Sequence, residues 1–111
     1  MVMLTQEMIA DIVNGLVNIL GSNILQIILY GSVAREQATE ESDVDIAIVL
    51  NKEFSSENRD KFIDWVAELD LKYDRVFSIV DIENEKFEKW RNVLPFYKNI
   101  QDEGVVLWKA A

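Results

Sequence analysis

The sequence contains no cysteine and no histidine in 111 residues. Without thiols there is neither a disulfide nor a thiolate-held metal. Without imidazole, histidine-type zinc sites, Ser-His-Asp triads and histidine acid–base chemistry are all excluded. Any catalysis therefore rests on carboxylates, hydroxyls, backbone amides, Lys, Arg or a metal held by oxygen. Proline occurs once and glycine four times, too few for a flexible joint. With no internal repeat, low-complexity tract or linker, a single domain over residues 1–111 is expected. No apolar run is long enough to span a bilayer, so no transmembrane helix is expected. The first residues lack the basic-then-apolar pattern of a secretory signal, and a cytoplasmic location is the expectation.

Basic residues are also scarce, 11 against 20 acidic, for a net charge of −9. The imbalance sits in residues 1–60, with 3 Lys/Arg and 10 Asp/Glu, whereas residues 61–111 carry 8 and 10. There is no basic stripe, so direct nucleic-acid binding is not expected. The first half repels phosphates unless a cation intervenes. What is abundant is apolar surface: 50% of residues are hydrophobic and 28% charged, a composition that can close one core.

The apolar spacing lays out the elements. Thr5 is placed to cap a helix whose inward face is Ile9, Ile12, Val13, Leu16 and Leu20, with Gly21 at its end. Ile24 to Tyr30 reads as a buried strand that stops at Gly31-Ser32. One helical turn is expected over Val33 to Gln37, and a second strand over Asp43 to Leu50. Ser55 or Ser56 caps a helix with Phe62, Val66, Leu69 and Tyr73 inward. A third strand is expected over Arg75 to Ile82, then a helix with Phe87 and Trp90 inward. Pro95 suits the first turn of a short helix ending at Gly104, and Val105 to Trp108 a last strand. This is an α/β (α+β) chain with one small mixed sheet flanked by helices. Trp65, Trp90 and Trp108, with Phe87, Phe96 and Tyr97, lie on separate amphipathic elements and read as core or partner surface.

The stretch that carries chemistry runs from Leu29 to Leu50. A buried strand ends in Gly31-Ser32, and Asp43 and Asp45 then open the next strand. Alternation points both carboxylates to one face and Val44 to the other. Two like charges side by side within an apolar strand are unfavourable unless a cation sits between them. Mg²⁺ suits the position, since it takes hard oxygen ligands and is commonly held by one or two carboxylates plus substrate phosphates. Gly31 lets backbone approach a ligand closely, and Ser32 offers a hydroxyl and an amide N–H. Together these residues are expected to form a metal–triphosphate site.

The run Tyr-Gly-Ser-X-Ala-Arg followed by Ser-Asp-X-Asp resembles the signature of the DNA-polymerase-β-like nucleotidyltransferase superfamily. In particular it is similar to that of the minimal nucleotidyltransferases of prokaryotes, antitoxins among them. The resemblance covers nearly the whole chain. It implies the polymerase-β-like nucleotidyltransferase fold, with nucleoside monophosphate moved from a triphosphate to a hydroxyl, Mg²⁺ as cofactor and pyrophosphate released. It further implies ATP as substrate and a small helical HEPN-domain toxin as partner, AMP being attached to a tyrosine of that partner. Asp43 and Asp45 would hold the metal, Gly31 and Ser32 the β and γ phosphates. Arg35 and Ser42 fall with the nucleotide-binding group. Arg35 reads equally as a surface ion pair to Glu36 or Glu40. The resemblance leaves an oligomer open.

The sequence departs from the family pattern at Glu36, where glycine is usual, and at Ser78, which stands where the family has a third carboxylate. That position serves the family as general base and second metal ligand, so Ser78 belongs with Asp43 and Asp45 among the catalytic positions. A serine does neither job well at neutral pH. If Ser78 faces the two aspartates, Asp81 faces away, and Asp74 shares Ser78's face but lies about 13 Å further along the strand. Three readings follow: an AMP-transferring antitoxin, a degenerate relative that neutralises a partner by masking it, and a small-molecule adenylyltransferase. The last usually needs an added helical domain.

Overall fold

The structure, a computed structural model, describes residues 4–35 and 42–111. Helix α1 (Gln6–Leu20) opens where Thr5 Oγ1 accepts from the Met8 amide at 3.1 Å. Its buried row is Met8, Ile12, Leu16 and Leu20, so the inward stripe runs one residue to the side of the Ile9 face read from the sequence. Gly21 ends the helix at φ 55°, and a single 3-10 turn leads into β1 (Ile24–Tyr30). Then come α2 (Gly31–Ala34), β2 (Val44–Leu50), α3 (Ser56–Tyr73), β3 (Phe77–Glu83), α4 (Asn84–Trp90), α5 (Pro95–Glu103) and β4 (Val105–Lys109). Ser55 is the cap of α3, accepting from the Asn58 amide at 3.1 Å.

The sheet runs β3-β2-β1-β4, with β2 and β3 parallel and the other pairs antiparallel. Strand β2 is central, and its residues other than Asp45 are fully buried. That burial on both faces is why it reads as a continuous apolar run and not as an alternation. Each such side chain contributes about 1.5–3 kcal/mol by leaving water. Helices α1 and α3 cover one face over Ile27, Leu29, Ile46 and Ile48. The other face carries Ile28, Ala47, Val49 and Ile82 under Phe87 of α4 and Ile100 of α5.

Three boundaries and one side-chain orientation differ from the sequence reading. Helix α2 starts at Gly31 and not at Val33, because the chain turns directly out of β1; Gln37 lies outside the described residues. Asp43 precedes the second strand by one residue. The third strand begins at Phe77, not Arg75: Asp74 is the left-handed C-cap of α3 (φ 50°), its N–H bonded to Asp70 O, so it belongs to no strand face. Trp90 is 36% exposed where an inward position was expected, since Phe87 alone fills the space under α4. No helix among the described residues is long and apolar enough to cross a membrane.

Candidate active site

Strand β1 passes into α2 with no intervening residue, and the turn is made at Gly31 with φ 74°. A methyl group there would run into the Asp45 carboxylate. Glycine is thus required both for the left-handed backbone and for the close approach. On one side of Asp45 the antiparallel register sets Tyr30; on the other the parallel register sets Ser78. Cross-strand partners share a face, so Tyr30, Asp45 and Ser78 form a row across the sheet. The face is that of Ala47, Val49 and Val80, covered further along by α4 and α5. Asp43 stands two residues ahead, exposed, at the open end of the row. Ser32 sits in the first turn of α2, half-buried beside Gly31.

The electrostatics agree with this crowding. Burial, and then the charge of Asp43, hold the Asp45 carboxyl above the ordinary carboxylate range, while Arg35 opposes them. Burial, then Asp45, push the Tyr30 hydroxyl up as well. Arg35 forms its ion pair with Glu103 of α5 at 3.3 Å, both side chains being over 40% exposed. Such a surface pair contributes little to stability, but it ties α2 to α5. The alternative partners Glu36 and Glu40 lie outside the described residues. The Ser42 carbonyl accepts from Arg75 Nη2 at 3.2 Å.

Of the two acids that flank Ser78, Asp74 and Asp81, neither joins the row. Asp81 pairs in register with Ile48 on the opposite face, where Arg59 of α3 approaches it at 3.8 Å. Among the described residues no three acidic side chains cluster to hold a metal ion. Asp43 and Asp45 are the two carboxylates that could serve as donors beside Gly31. That pair fits a hard cation whose remaining ligands come with a triphosphate, and does not form an all-protein cage. A groove of about 560 Å³ lined by Asp11, Trp65 and Lys72 lies between α1 and α3, on the opposite side of the sheet from the row.

Two residues escaped the sequence reading. Tyr30 is the last strand residue before the glycine, and its place opposite Asp45 follows only from antiparallel pairing. Phe96 packs edge-on against its ring, centroids 5.7 Å apart. Arg75 was legible in principle: if Asp45 is level with Ser78 in a parallel pair, three residues back Ser42 is level with Arg75. Of the aromatic set, Trp65 and Trp108 pack on the core under α1 and α3, Phe87 is buried, and Trp90 and Phe96 face solvent.

The raised Asp45 carboxyl makes a stability prediction. Its folded-state pKa lies above its unfolded value, so the ionised form is penalised in the fold at pH above both and the penalty vanishes below both. At pH 7 and without divalent metal, Asp45→Asn is expected to melt a few degrees above wild type. The gap should close as pH falls into the carboxylate range. Melting curves at pH 7 and pH 4 check this; a variant less stable than wild type at pH 7 would show that Asp45 is not penalised.

The family model described as polymerase beta, nucleotidyltransferase, matches residues 14–110. A Methanocaldococcus jannaschii protein bearing the name protein adenylyltransferase is 39% identical over 103 residues, covering 93% of this chain and 97% of that one. Among solved structures, a chain of a toxin–antitoxin crystallised with AMP-PNP superposes with a TM-score of 0.64 at 18% identity, over 92% of this chain and 73% of that one. A chain from the complex of a tri-AMPylated Shewanella oneidensis HEPN toxin with its MNT antitoxin gives 0.60 at 19%, over 95% and 72%. At those identities the structures speak for the fold, a four-stranded mixed sheet flanked by helices. With the family model matching residues 14–110 and a 39% identical relative covered over nearly its full length, the chain belongs to the polymerase-β nucleotidyltransferase family.

Proposed function

We propose that this domain, spanning residues 1–111, transfers AMP from ATP to a hydroxyl of a partner protein, a tyrosine of a HEPN-type helical toxin, with Mg²⁺ as cofactor. The observation that carries the reading is the row Tyr30, Asp45 and Ser78 with Gly31 closed against the Asp45 carboxylate and Asp43 at its open end. Asp43 and Asp45 would hold Mg²⁺; Gly31 and Ser32 would take the β and γ phosphates, with Arg35 and Ser42 at the rim. Bound there, the metal supplies neutralisation of the charge that builds on the phosphates. The acceptor oxygen forms its bond to the α-phosphorus as the bond to the bridging oxygen breaks. Pyrophosphate leaves, and the hydroxyl proton passes to solvent, because Ser78 is no base at neutral pH.

A protein acceptor suits the surroundings. Trp90, Val93, Leu94 and Phe96, each at least 36% exposed, form an apolar ridge on the α4–α5 hairpin, and Phe96 touches Tyr30 beside the carboxylates. A partner chain seated on that ridge would complete the walls that a domain this small lacks. Names among the similar proteins, a protein adenylyltransferase and a HEPN toxin bound to an MNT antitoxin, support the same acceptor class. The test is co-expression with a HEPN-type toxin and mass measurement of the purified pair. Mass gain in whole AMP units on the toxin, requiring ATP and Mg²⁺, is the expected result. A pair that neither associates nor gains AMP overturns the reading.

A second reading has one specific observation behind it: serine, not a carboxylate, stands level with Asp45. In that reading the site binds nucleotide or partner without turnover and neutralises by masking. Association without AMP transfer would favour it.

A further inference from the structure

Asp43 lies outside β2 and is exposed, yet the backbone on both its sides is held. On its N-terminal side, the Ser42 carbonyl accepts from Arg75 Nη2 at 3.2 Å. On its C-terminal side, the Val44 amide donates to the Val76 carbonyl at 2.8 Å. Both partners come from the turn between α3 and β3. That turn is itself fixed by Asp70: the Phe77 amide donates to its Oδ1 at 2.9 Å, and the Arg75 amide to its carbonyl at 3.2 Å. Arg75 is half-buried, and its Nε is buried with no hydrogen-bond partner among the described residues. A guanidinium so placed loses solvation for the contact it makes, a cost that a residue serving only the turn would not need to bear.

We propose that Arg75 is a positioning residue for Asp43. Its guanidinium fixes the peptide ahead of Asp43 while Val76 fixes the one behind, so the carboxylate is presented beside Asp45 despite their mutual repulsion. The proposal rests on the reading of Asp43 and Asp45 as the cation-holding pair. It says why an exposed residue at the end of a strand keeps a defined direction, and it places the support for that direction on the neighbouring parallel strand's entry turn. Groups that support a metal ligand from behind commonly change metal affinity about 10–100-fold when removed.

The experiment measures Mg-ATP affinity by calorimetry and Mn²⁺ affinity, with the metal alone, by electron paramagnetic resonance. Wild type, Arg75→Ala, Arg75→Lys and Asp43→Asn are compared, with the double variant Arg75→Ala/Asp43→Asn. Arg75→Ala is expected to weaken both ligands about tenfold or more. Arg75→Lys, which keeps one charged donor for the Ser42 carbonyl, should recover most of the loss. In the Asp43→Asn background, with the positioned carboxylate gone, Arg75→Ala should change affinity by less than about twofold. Equal affinity for wild type and Arg75→Ala overturns the proposal, as does the same fold-loss in both backgrounds, which is what a merely structural arginine gives. If Arg75→Ala does not fold, Arg75→Lys and Arg75→Gln carry the same comparison. A wild type that binds neither Mg-ATP nor Mn²⁺ would instead bring down the metal-site reading, and the proposal with it.

Discussion

Asp43→Asn is expected to lower Mg-ATP-dependent AMP transfer by about 10³-fold or more while the protein stays folded. Asp43 is exposed, so its replacement removes charge and little packing. It also relieves Asp45, whose carboxyl is held up in part by the Asp43 charge. The metal-free variant should therefore melt at or slightly above the wild-type temperature. Loss of activity with stability kept or raised is the signature of a ligand pair built for a cation, since a structural aspartate would lose both. Calorimetry with Mg-ATP and a melting curve on the same preparation check it. Equal Mg-ATP affinity in variant and wild type would end the reading of Asp43 and Asp45 as a metal site.

The parts legible in the sequence were those set by strong local periodicity. The apolar runs of β1 and β2 have no amphipathic alternative, and Gly31 between them marks the turn, so the row of Tyr30, Asp45 and Ser78 could be half assembled from spacing alone. The family pattern put Ser78 at the position beside the aspartates, and the alternation of β3 then turned Asp81 away; the register agrees, with Arg59 meeting Asp81 on the far face. What local pattern could not carry was the turn into β3. Arg75 reaches the Ser42 carbonyl 33 residues away, and a run that alternates acceptably hides a left-handed cap at Asp74. Trp90 was misplaced for a related reason. Helix α4 has only two turns, and whether a large ring at its end points in or out depends on where α5 lies, which nothing local encodes. The partner of Arg35 is equally non-local, 68 residues away at Glu103.

Ser78→Asp is expected to raise AMP transfer by about 10²–10⁴-fold, the range typical of a positioned general base. Ser78 is level with Asp45 on the neighbouring parallel strand, and both side chains stand on the same face. A carboxylate at this position would extend the existing pair into a third oxygen donor set and supply a proton acceptor beside the acceptor hydroxyl. Neither acid flanking Ser78 can take this part: Asp81 faces α3, and Asp74 caps that helix before the strand begins. The substitution should carry a cost that itself identifies the geometry. A third negative charge beside Asp45, already held above its ordinary range by burial and Asp43, is repelled, so the metal-free variant should melt below wild type. Divalent cation should restore that stability, more for the variant than for wild type, because it is bound by the folded site and not by the unfolded chain. Rates with and without Mg²⁺, read beside melting curves under the same conditions, separate the cases. A gain in rate together with a metal-dependent recovery of stability places position 78 at the metal. Robust wild-type transfer with no gain in the variant would mean that the site does not need the missing carboxylate.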